Sequence, residues 1–396
     1  MRPRPSRPRL LQAMIDAFSL PDLRRRILIT LAILAVFRFV AHVPLPGANL
    51  EALRQLFERN ALLGMLDMFS GGAMRRLSVA AMGVYPYITA SIIMQLMLPV
   101  IPRLQALAQE GEAGRNKINL MTHWFTVPLA GLQAYGQLVY LQREGVVSAT
   151  DPLGMTTMVI SMIAGTMFII WLGERITEYG IGNGVSIIIF GGIVAGLPEM
   201  IGQGFLAREN FSGLAIYILI ALATTVVIVI FTEAHRRIPV QYAKSVFKSG
   251  RMYRQSGATH IPLRVNVAGM IPLIFAMSLV LFPGIVASYF VNPREPNFAN
   301  TIQELFNPNA PLPLGLFYWG LYFLLVVGFT FFYTMVVFQQ QDLPGILQKQ
   351  GGFIPGLRPG KQTATYLNQV INRITWAGAL FLAGIAIMPF IAQEIT

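Results

Sequence analysis

The stretch VAAMGVYPYITASIIMQLMLPVI, residues 79–101, carries no charged side chain. About 20 consecutive apolar residues in a helix cross the hydrocarbon core of a bilayer. Glycine, proline and glutamine interrupt the run, and such residues are tolerated in lipid where a helix packs against other helices. The stretch therefore predicts a transmembrane helix inside a bundle.

Eight further apolar segments have the same character. With 79–101 they give nine predicted spans, the others lying at roughly 27–41, 118–141, 153–172, 181–197, 211–232, 265–291, 312–338 and 374–392. The first is short and contains Arg38, so it depends on neighbouring helices or on that side chain reaching the interface. We predict an all-α membrane protein, a polytopic helical bundle.

The composition excludes a soluble protein. Of the 396 residues 12% are charged and 54% hydrophobic, and the mean hydropathy is +0.57; soluble domains have about 25% charged and 45–50% apolar residues. The chain has no cysteine, which excludes disulfides, cysteine-ligated metals and a cysteine nucleophile. The four histidines lack metal-ligand spacing, so we predict no metal site.

Basic residues are concentrated on one side of the predicted membrane. Of the 30 lysines and arginines, 22 lie in the arm before the first span and in alternate connecting loops. Cytoplasmic loops carry such an excess, so we expect a cytoplasmic N-terminus. The net charge of +12 then belongs to a membrane face.

Two long loops on that side, 233–266 and 339–373, hold seven and four basic residues. Apolar residues such as Val240, Phe247 and Ile354 lie between the charges. This pattern suits docking to a large anionic partner. The alternative is the orientation bias alone, which is the simpler explanation for the N-terminal arm.

A short apolar stretch, ALLGMLDMFSGG (61–72), is too brief to cross a bilayer. If it dips into the membrane it must be shielded by protein or line a cavity. The alternative is a helix lying on the outer surface.

Catalytic constellations are absent from the sequence. The pairs Glu110/Glu112 and Glu174/Glu178 have no neighbouring nucleophile or metal ligand, so we interpret them as solvated or structurally paired. The run GIGNG (180–184) lacks the strand and lysine of a phosphate-binding loop and predicts a tight turn. We expect neither an enzyme nor a cofactor.

Several strings together resemble one family. They are FSGGAMRRLSVAAMGVYPYITASIIMQL (69–96), EGEAGRNK (110–117), WLGERITEYGIGNGVSIIIFGGIVAGLP (171–198), RRIPVQYAK (236–244), THIPLRVNVAGMIPLIFA (259–276) and GGFIPGLRPGKQTATYL (351–367). In this order they are similar to SecY, the large subunit of the bacterial Sec protein-conducting channel. The resemblance covers nearly the whole chain.

The resemblance implies a bundle of two inverted, pseudo-symmetric halves around an hourglass pore. The first half would be 27–198, preceded by the cytoplasmic arm 1–26, and the second half 199–396.

The family pattern has a tenth span, and this chain stops after the ninth. We therefore expect the sequence to be a fragment of a longer reading frame; the alternative is a naturally incomplete copy. In FQQQDLPGILQK (338–349) the chain also departs from the family pattern, so docking there is expected to differ in detail.

The resemblance also implies site residues. A ring of aliphatic side chains would close the pore, at Val84, Ile88, Ile189 and Ile274. The plug would be Leu62, Leu63, Gly64, Met65, Leu66, Asp67, Met68, Phe69, Ser70, Gly71 and Gly72. The polar cluster of a lateral gate would be Gln95, Gln133 and Asn266.

The docking surface implied by the resemblance comprises Arg236, Arg237, Lys244, Lys248, Arg251, Arg254 and Arg358. Its partners would be the ribosome and the SecA ATPase. The subunits SecE and SecG, preproteins with signal sequences and membrane lipids complete the implied partners, in the bacterial inner membrane.

Two other classes of membrane protein are alternatives, a secondary transporter and a membrane enzyme. A secondary transporter has inverted repeats too, but it usually needs an ionisable residue at mid-membrane, and the spans offer only Arg38 and His123 near their ends. A membrane enzyme would need a Ser/His, paired Asp or HExxH set within the bilayer, which the spans lack.

Overall fold

The computed structural model describes most of the chain. The described residues are 18–59, 67, 70–147, 151–206, 211–248, 251–288, 290, 297–307, 310, 313–341, 343–349, 351–358 and 360–395. Most of the predicted plug, 61–66 with Met68 and Phe69, lies outside them.

Helices dominate the described residues. They are α1 (Pro21–Val40), α2 (Leu50–Arg59), α3 (Tyr85–Met97), α4 (Pro102–Gln109), α5 (Glu112–Arg143), α6 (Pro152–Tyr179), α7 (Gly184–Leu206), α8 (Phe211–Glu233), α9 (Ile271–Ser288), α10 (Phe298–Leu305), α11 (Leu314–Gln341), α12 (Leu343–Lys349) and α13 (Lys361–Ile395). Each of the nine predicted spans overlaps one of these helices, so the predicted helical character is confirmed.

Length and composition alone qualify fewer helices as membrane spans. Among the described residues, α6, α11 and α13 are each long and apolar enough to cross, and α3 with α4 makes a fourth if this pair, bent by 102°, is one span. The count of nine spans remains a prediction.

The opening stretch forms a shorter helix than predicted. Residues 79–84 lie in turns, and α3 ends at Met97, before Pro99. Proline cannot donate to the helical ladder and disfavours helix in the preceding residue. The prediction of one continuous helix over 79–101 was therefore wrong at both ends.

The chain divides into two compact units. The first comprises 1–107, 112–207 and 285–299, and the second 108–111, 208–284 and 300–396. In the first, α5 packs against α3 and α6, and α1 packs against α6 and α7. In the second, α13 packs against α11 and α8.

Small residues let helices approach closely in the first unit. A Cβ added to Gly165 of α6 would collide with the carbonyl oxygen of Val79, in the turns before α3, and one added to Gly184 of α7 would collide with that of Gly173 on α6. Such backbone contact is how helices associate where lipid supplies no hydrophobic drive. The predicted turn at 180–184 is present, with Gly182 at φ +66°.

The second unit also contains a three-stranded antiparallel sheet, which the all-α prediction missed. Strands β1 (His235–Lys248) and β2 (Arg251–Arg264) form a hairpin, and β3 (Gly352–Phe353) pairs with the other edge of β1. Along β1, Ile238 and Val240 are buried while Arg237 and Pro239 are exposed. This alternation is the period of a strand with one buried face.

Candidate functional site

The predicted pore ring lies on three helices or their ends. Val84 and Ile88 are one turn apart at the start of α3, where the Ile88 amide donates to the Val84 carbonyl at 3.0 Å, and both are buried. Ile189 on α7 is half-buried in the same unit, and Ile274 on α9 is half-buried in the other. The meeting of all four at one level stays a prediction.

The described end of the predicted plug contacts the first span directly. Arg38, near the end of α1, donates from Nη1 to the carbonyl oxygen of Gly71 at 2.7 Å. Hydrogen bonds from a charged donor are shorter and about twice as strong as neutral ones. Arg38 thus has a hydrogen-bond partner within the protein.

Gly71 lies between two helices. A Cβ placed on it would be 2.8 Å from Gly192 Cα of α7 and 2.9 Å from Phe37 Cζ of α1. Gly71 also has φ +67°, a left-handed conformation that side-chain-bearing residues rarely adopt. Only glycine fits here without displacing a helix.

Asp67 organises the turn at the end of the predicted plug. Its Oδ1 accepts hydrogen bonds from Ser70 Oγ at 3.1 Å and from the amides of Met74 and Arg75 at 3.1 and 3.2 Å. Its backbone carbonyl accepts from the Gly72 amide at 3.1 Å. Residues 67 and 70–76, here called the plug root, are therefore tied together around one buried carboxylate.

The hydrogen bonds that Asp67 accepts stabilise the plug root more than its negative charge does. Arg75 Nε lies 3.0 Å from Oδ2, but the Arg75 side chain is 56% exposed, and exposed ion pairs contribute only about 0–1 kcal/mol. Burial raises the Asp67 pKa above 3.8, against the hydrogen bonds and the Arg75 charge, which lower it. Desolvation is the larger effect.

The predicted gate amides are incompletely bonded. Among the described residues, Gln95 Oε1, Gln133 Oε1 and Asn266 Oδ1 are buried and find no hydrogen-bond partner. Gln95 Nε2 donates to Ser91 Oγ of its own helix at 3.4 Å. Gln95 and Gln133 lie on α3 and α5, which pack together, and Asn266 lies in the other unit. Buried amide oxygens without donors are costly, so they favour exchange of partners.

A second polar cluster joins three helices of the first unit. His123 Nε2 of α5 lies 3.3 Å from Glu174 Oε1 of α6, and the His123 ring meets the Tyr87 ring of α3 edge-on, with centroids 5.4 Å apart. Glu178 pairs with Arg175 at 2.9 Å. The structural pairing expected for Glu174 and Glu178 is confirmed.

The two long basic loops meet in the sheet of the second unit. Tyr242 and Gln241 of the first loop pair with Gly352 and Phe353 of the second. Arg236, Arg237 and Arg358 are exposed. In the hairpin register Lys244 is opposite Gln255, Arg254 is opposite Ser245 and Lys248 is opposite Arg251.

An apolar cluster holds this sheet on the helices. It joins Ile238, Val240 and Leu263 of the hairpin to Leu347, Ile354, Leu367, Val370 and Ile371. The burial of a branched aliphatic side chain contributes about 1.5–3 kcal/mol. Arg236 and Arg237 therefore lie beside a packed apolar base rather than on a free loop.

Sequence reasoning missed the contacts of the plug root and the third strand. A short motif does indicate the Asp67 turn, since an aspartate three residues before a serine and a glycine pair favours side-chain to backbone bonds. The packing of Gly192 against Gly71 joins residues far apart in sequence, and no local pattern marks it.

Comparison with known proteins gives a consistent result. The SecY family profile matches residues 78–396. The protein translocase subunit SecY of Thermotoga maritima is 42% identical over 393 residues, covering 96% of this chain and 88% of the relative. That of Escherichia coli K12 is 42% identical over 380 residues, covering 93% and 84%.

Solved structures share the fold. A protein-conducting channel matches 92% of this chain and 84% of its own, with TM-score 0.65 and 16% identity. A SecY study on the plug domain gives TM-score 0.64 and 17% identity over 92% and 86%. Canine Sec61 in a ribosome–channel complex gives 0.59 and 14% over 94% and 91%.

Proposed function

The chain belongs to the SecY family, and from this premise we propose how its residues seal, open and dock a protein-conducting channel. The chain is the channel subunit of a protein translocase and not an enzyme. The similarity over 96% of its length carries this conclusion. Unfolded preproteins pass through the pore, and transmembrane segments leave it sideways into lipid.

Val84, Ile88, Ile189 and Ile274 form the seal around the moving chain. Branched apolar side chains make a constriction that excludes water and ions without binding any particular sequence. The burial of Val84 and Ile88 on one turn of α3 supports this assignment.

The segment 61–72 closes the resting pore from the outer side. The plug domain of the SecY structure compared above stabilises the closed state of its channel and maintains a membrane seal. The contacts of Gly71 with α1 and α7 support a fixed resting position for the end of this segment.

Gln95, Gln133 and Asn266 hold the lateral gate between α3 and α5 on one side and α9 and α11 on the other. Interhelical hydrogen bonds of this kind contribute about 0.6–2 kcal/mol each. The unpaired oxygens of the three amides support the proposal, because weakly satisfied groups exchange partners readily when a hydrophobic signal sequence enters.

The sheet of the second unit docks the ribosome and the SecA ATPase through its exposed arginines. The channel in one structural neighbour is bound to a ribosome. SecE and SecG complete the complex. The chain lies in the bacterial inner membrane with its N-terminus in the cytoplasm, in keeping with the basic excess of alternate loops.

The test is translocation in proteoliposomes that contain the chain with its partner subunits, SecA, ATP and a labelled preprotein. We expect protease-protected preprotein that depends on ATP, and raised ion leak when Ile88 or Ile274 is changed to serine. Ile160→Ser on the exposed face of α6 is the matched control. Absence of protease-protected preprotein with the parent chain would overturn the proposed function.

A further inference from the structure

A charged hydrogen bond links the plug root to α1. Arg38 Nη1 donates to the Gly71 carbonyl at 2.7 Å, and the same nitrogen lies 4.0 Å from the position that a Cβ on Gly72 would occupy. Arg38 is half-buried. A charged donor here is worth more than in water, since the local dielectric is low.

Gly71, whose carbonyl accepts this bond, is closely packed. Gly71 is wedged between Phe37 and Gly192 and has a left-handed φ of +67°. A backbone change that moved the Gly71 carbonyl away from Arg38 would have to be accommodated against these close neighbours. The bond and the close packing act on the same residue.

The plug root behaves as one piece. Asp67 bonds Ser70 and the amides of Met74 and Arg75, and Ser70 also accepts from the Met74 amide at 3.1 Å. The bonds among Asp67, Ser70 and the Met74 amide are buried, and the bond from the Arg75 amide is partly buried. A displacement at position 71 is therefore transmitted to position 67, where the body of the plug joins.

We propose that Arg38 is the catch that keeps the plug closed, so that opening the channel requires its bond to the Gly71 carbonyl to break. The inference rests on the proposed function, because it takes 61–72 as the plug. Arg38 is a positioning residue: it acts on the seal through the backbone of residue 71 and does not contact the translocating chain.

The test measures resting leak and plug exposure in the full chain with its partner subunits. Arg38→Met keeps the length of the side chain and removes its donors, while Arg38→Lys keeps one charged donor. Arg54→Met removes an equal charge from the exposed face of α2 and is the matched control. Since the chain has no cysteine, Ala73→Cys, at a fully buried position, reports the opening of the plug root to a maleimide.

We expect Arg38→Met to raise the resting leak of small ions about tenfold or more, as the loss of one charge-assisted hydrogen bond implies. Labelling at position 73 should accelerate in parallel. Arg38→Lys should give an intermediate leak, and Arg54→Met should match the parent. In Gly192→Ala, where the close contact is already broken, Arg38→Met should add little, because coupled residues are not additive.

Unchanged leak and labelling in Arg38→Met, in a channel that still translocates preprotein, would overturn the catch and leave the proposed function intact. If the parent chain itself conducts no preprotein, the proposed function fails first. Should Arg38→Met fail to accumulate, Arg38→Lys decides by the same two measurements, and a leak equal to the parent's overturns the proposal.

Discussion

The plug root and the three-stranded sheet are held in place by opposite means. In the plug root, backbone carbonyls and amides bond a buried carboxylate and one arginine, and two glycine backbones touch. In the sheet, exposed arginines stand on a base of aliphatic side chains. A buried polar arrangement tolerates few substitutions, whereas an apolar base tolerates changes in the charges above it. A resting seal needs the first, and a surface that receives partners of different shape is served by the second.

Removal of a side chain from the apolar base should have the largest effect. Ile354→Ala is expected to cost about 2–5 kcal/mol of local stability, as truncation of buried isoleucine does. Ribosome binding should fall and limited proteolysis of the hairpin should accelerate, while the resting leak stays unchanged. Ile346→Ala, at a position 44% exposed on α12, is the matched control. A rise in leak would show that sheet and plug root are not separable.

A methyl group at the contact between glycines comes next. In Gly192→Ala the new Cβ lies 2.6 Å from Gly71 Cα, and overpacking of this kind costs about 1–3 kcal/mol. We expect higher ion leak in proteoliposomes and unchanged ribosome binding. Gly196→Ala is the matched control. It adds the same helix propensity to α7, but its new Cβ has no neighbouring atom within 4 Å. Equal leak in both variants would contradict the close contact.

Charge reversal on the sheet should act only on docking. Arg236→Glu with Arg237→Glu is expected to weaken ribosome and SecA binding about fivefold to tenfold, mainly through slower association. The difference should shrink with added salt, because exposed charges are screened over about 8 Å at physiological ionic strength. Arg54→Glu is the control. If the charge reversal and added salt leave ribosome and SecA binding unchanged, the sheet is not part of the docking surface.

The smallest effect is expected from a substitution that removes the negative charge of Asp67 and keeps its hydrogen-bond acceptor, Oδ1. Burial raises the Asp67 pKa, so the folded chain holds this proton to a higher pH than the unfolded chain. The stabilisation from the protonated form is complete below about 3.8 and is lost as the pH rises through the folded value.

Asp67→Asn keeps Oδ1 and removes this dependence. The thermal midpoint in detergent should equal or exceed the parent's at pH 7 and vary less between about pH 4 and 7, with no increase in leak. Asp151→Asn, an exposed residue without a side-chain cap bond, is the control. A large loss of stability in Asp67→Asn would show that the Arg75 ion pair, not the acceptor atoms, holds the plug root.

Sequence patterns predicted the elements that depend on local physics. Nine apolar runs gave nine helical segments, because hydropathy and helix length are properties of the segment itself. The limits of α3 were missed because Pro99 and the turns at 79–84 override an apolar run. The alternation at Ile238 and Val240 marks a strand, but it was obscured by the charges that surround it.

The finer parts of the site depend on contacts that no local pattern carries. Arg38 was visible as an unusual charge in a span, and its acceptor, a backbone carbonyl of residue 71, was not. The same holds for Gly192, whose lack of a side chain has meaning only opposite Gly71. The pore ring and gate rest on the resemblance, and they remain predictions.

Strand β3 sets an order of events during synthesis. The hairpin of β1 and β2 pairs residues close in the chain and can form as soon as it leaves the ribosome, since local contacts form fast. Its second edge waits for Gly352 and Phe353, about 110 residues later, and its base waits for the start of α13. At about 5–20 residues per second the hairpin stays unsupported for several seconds. A nascent copy of the chain therefore lacks a firm base under the proposed docking surface until its last described helix begins to emerge.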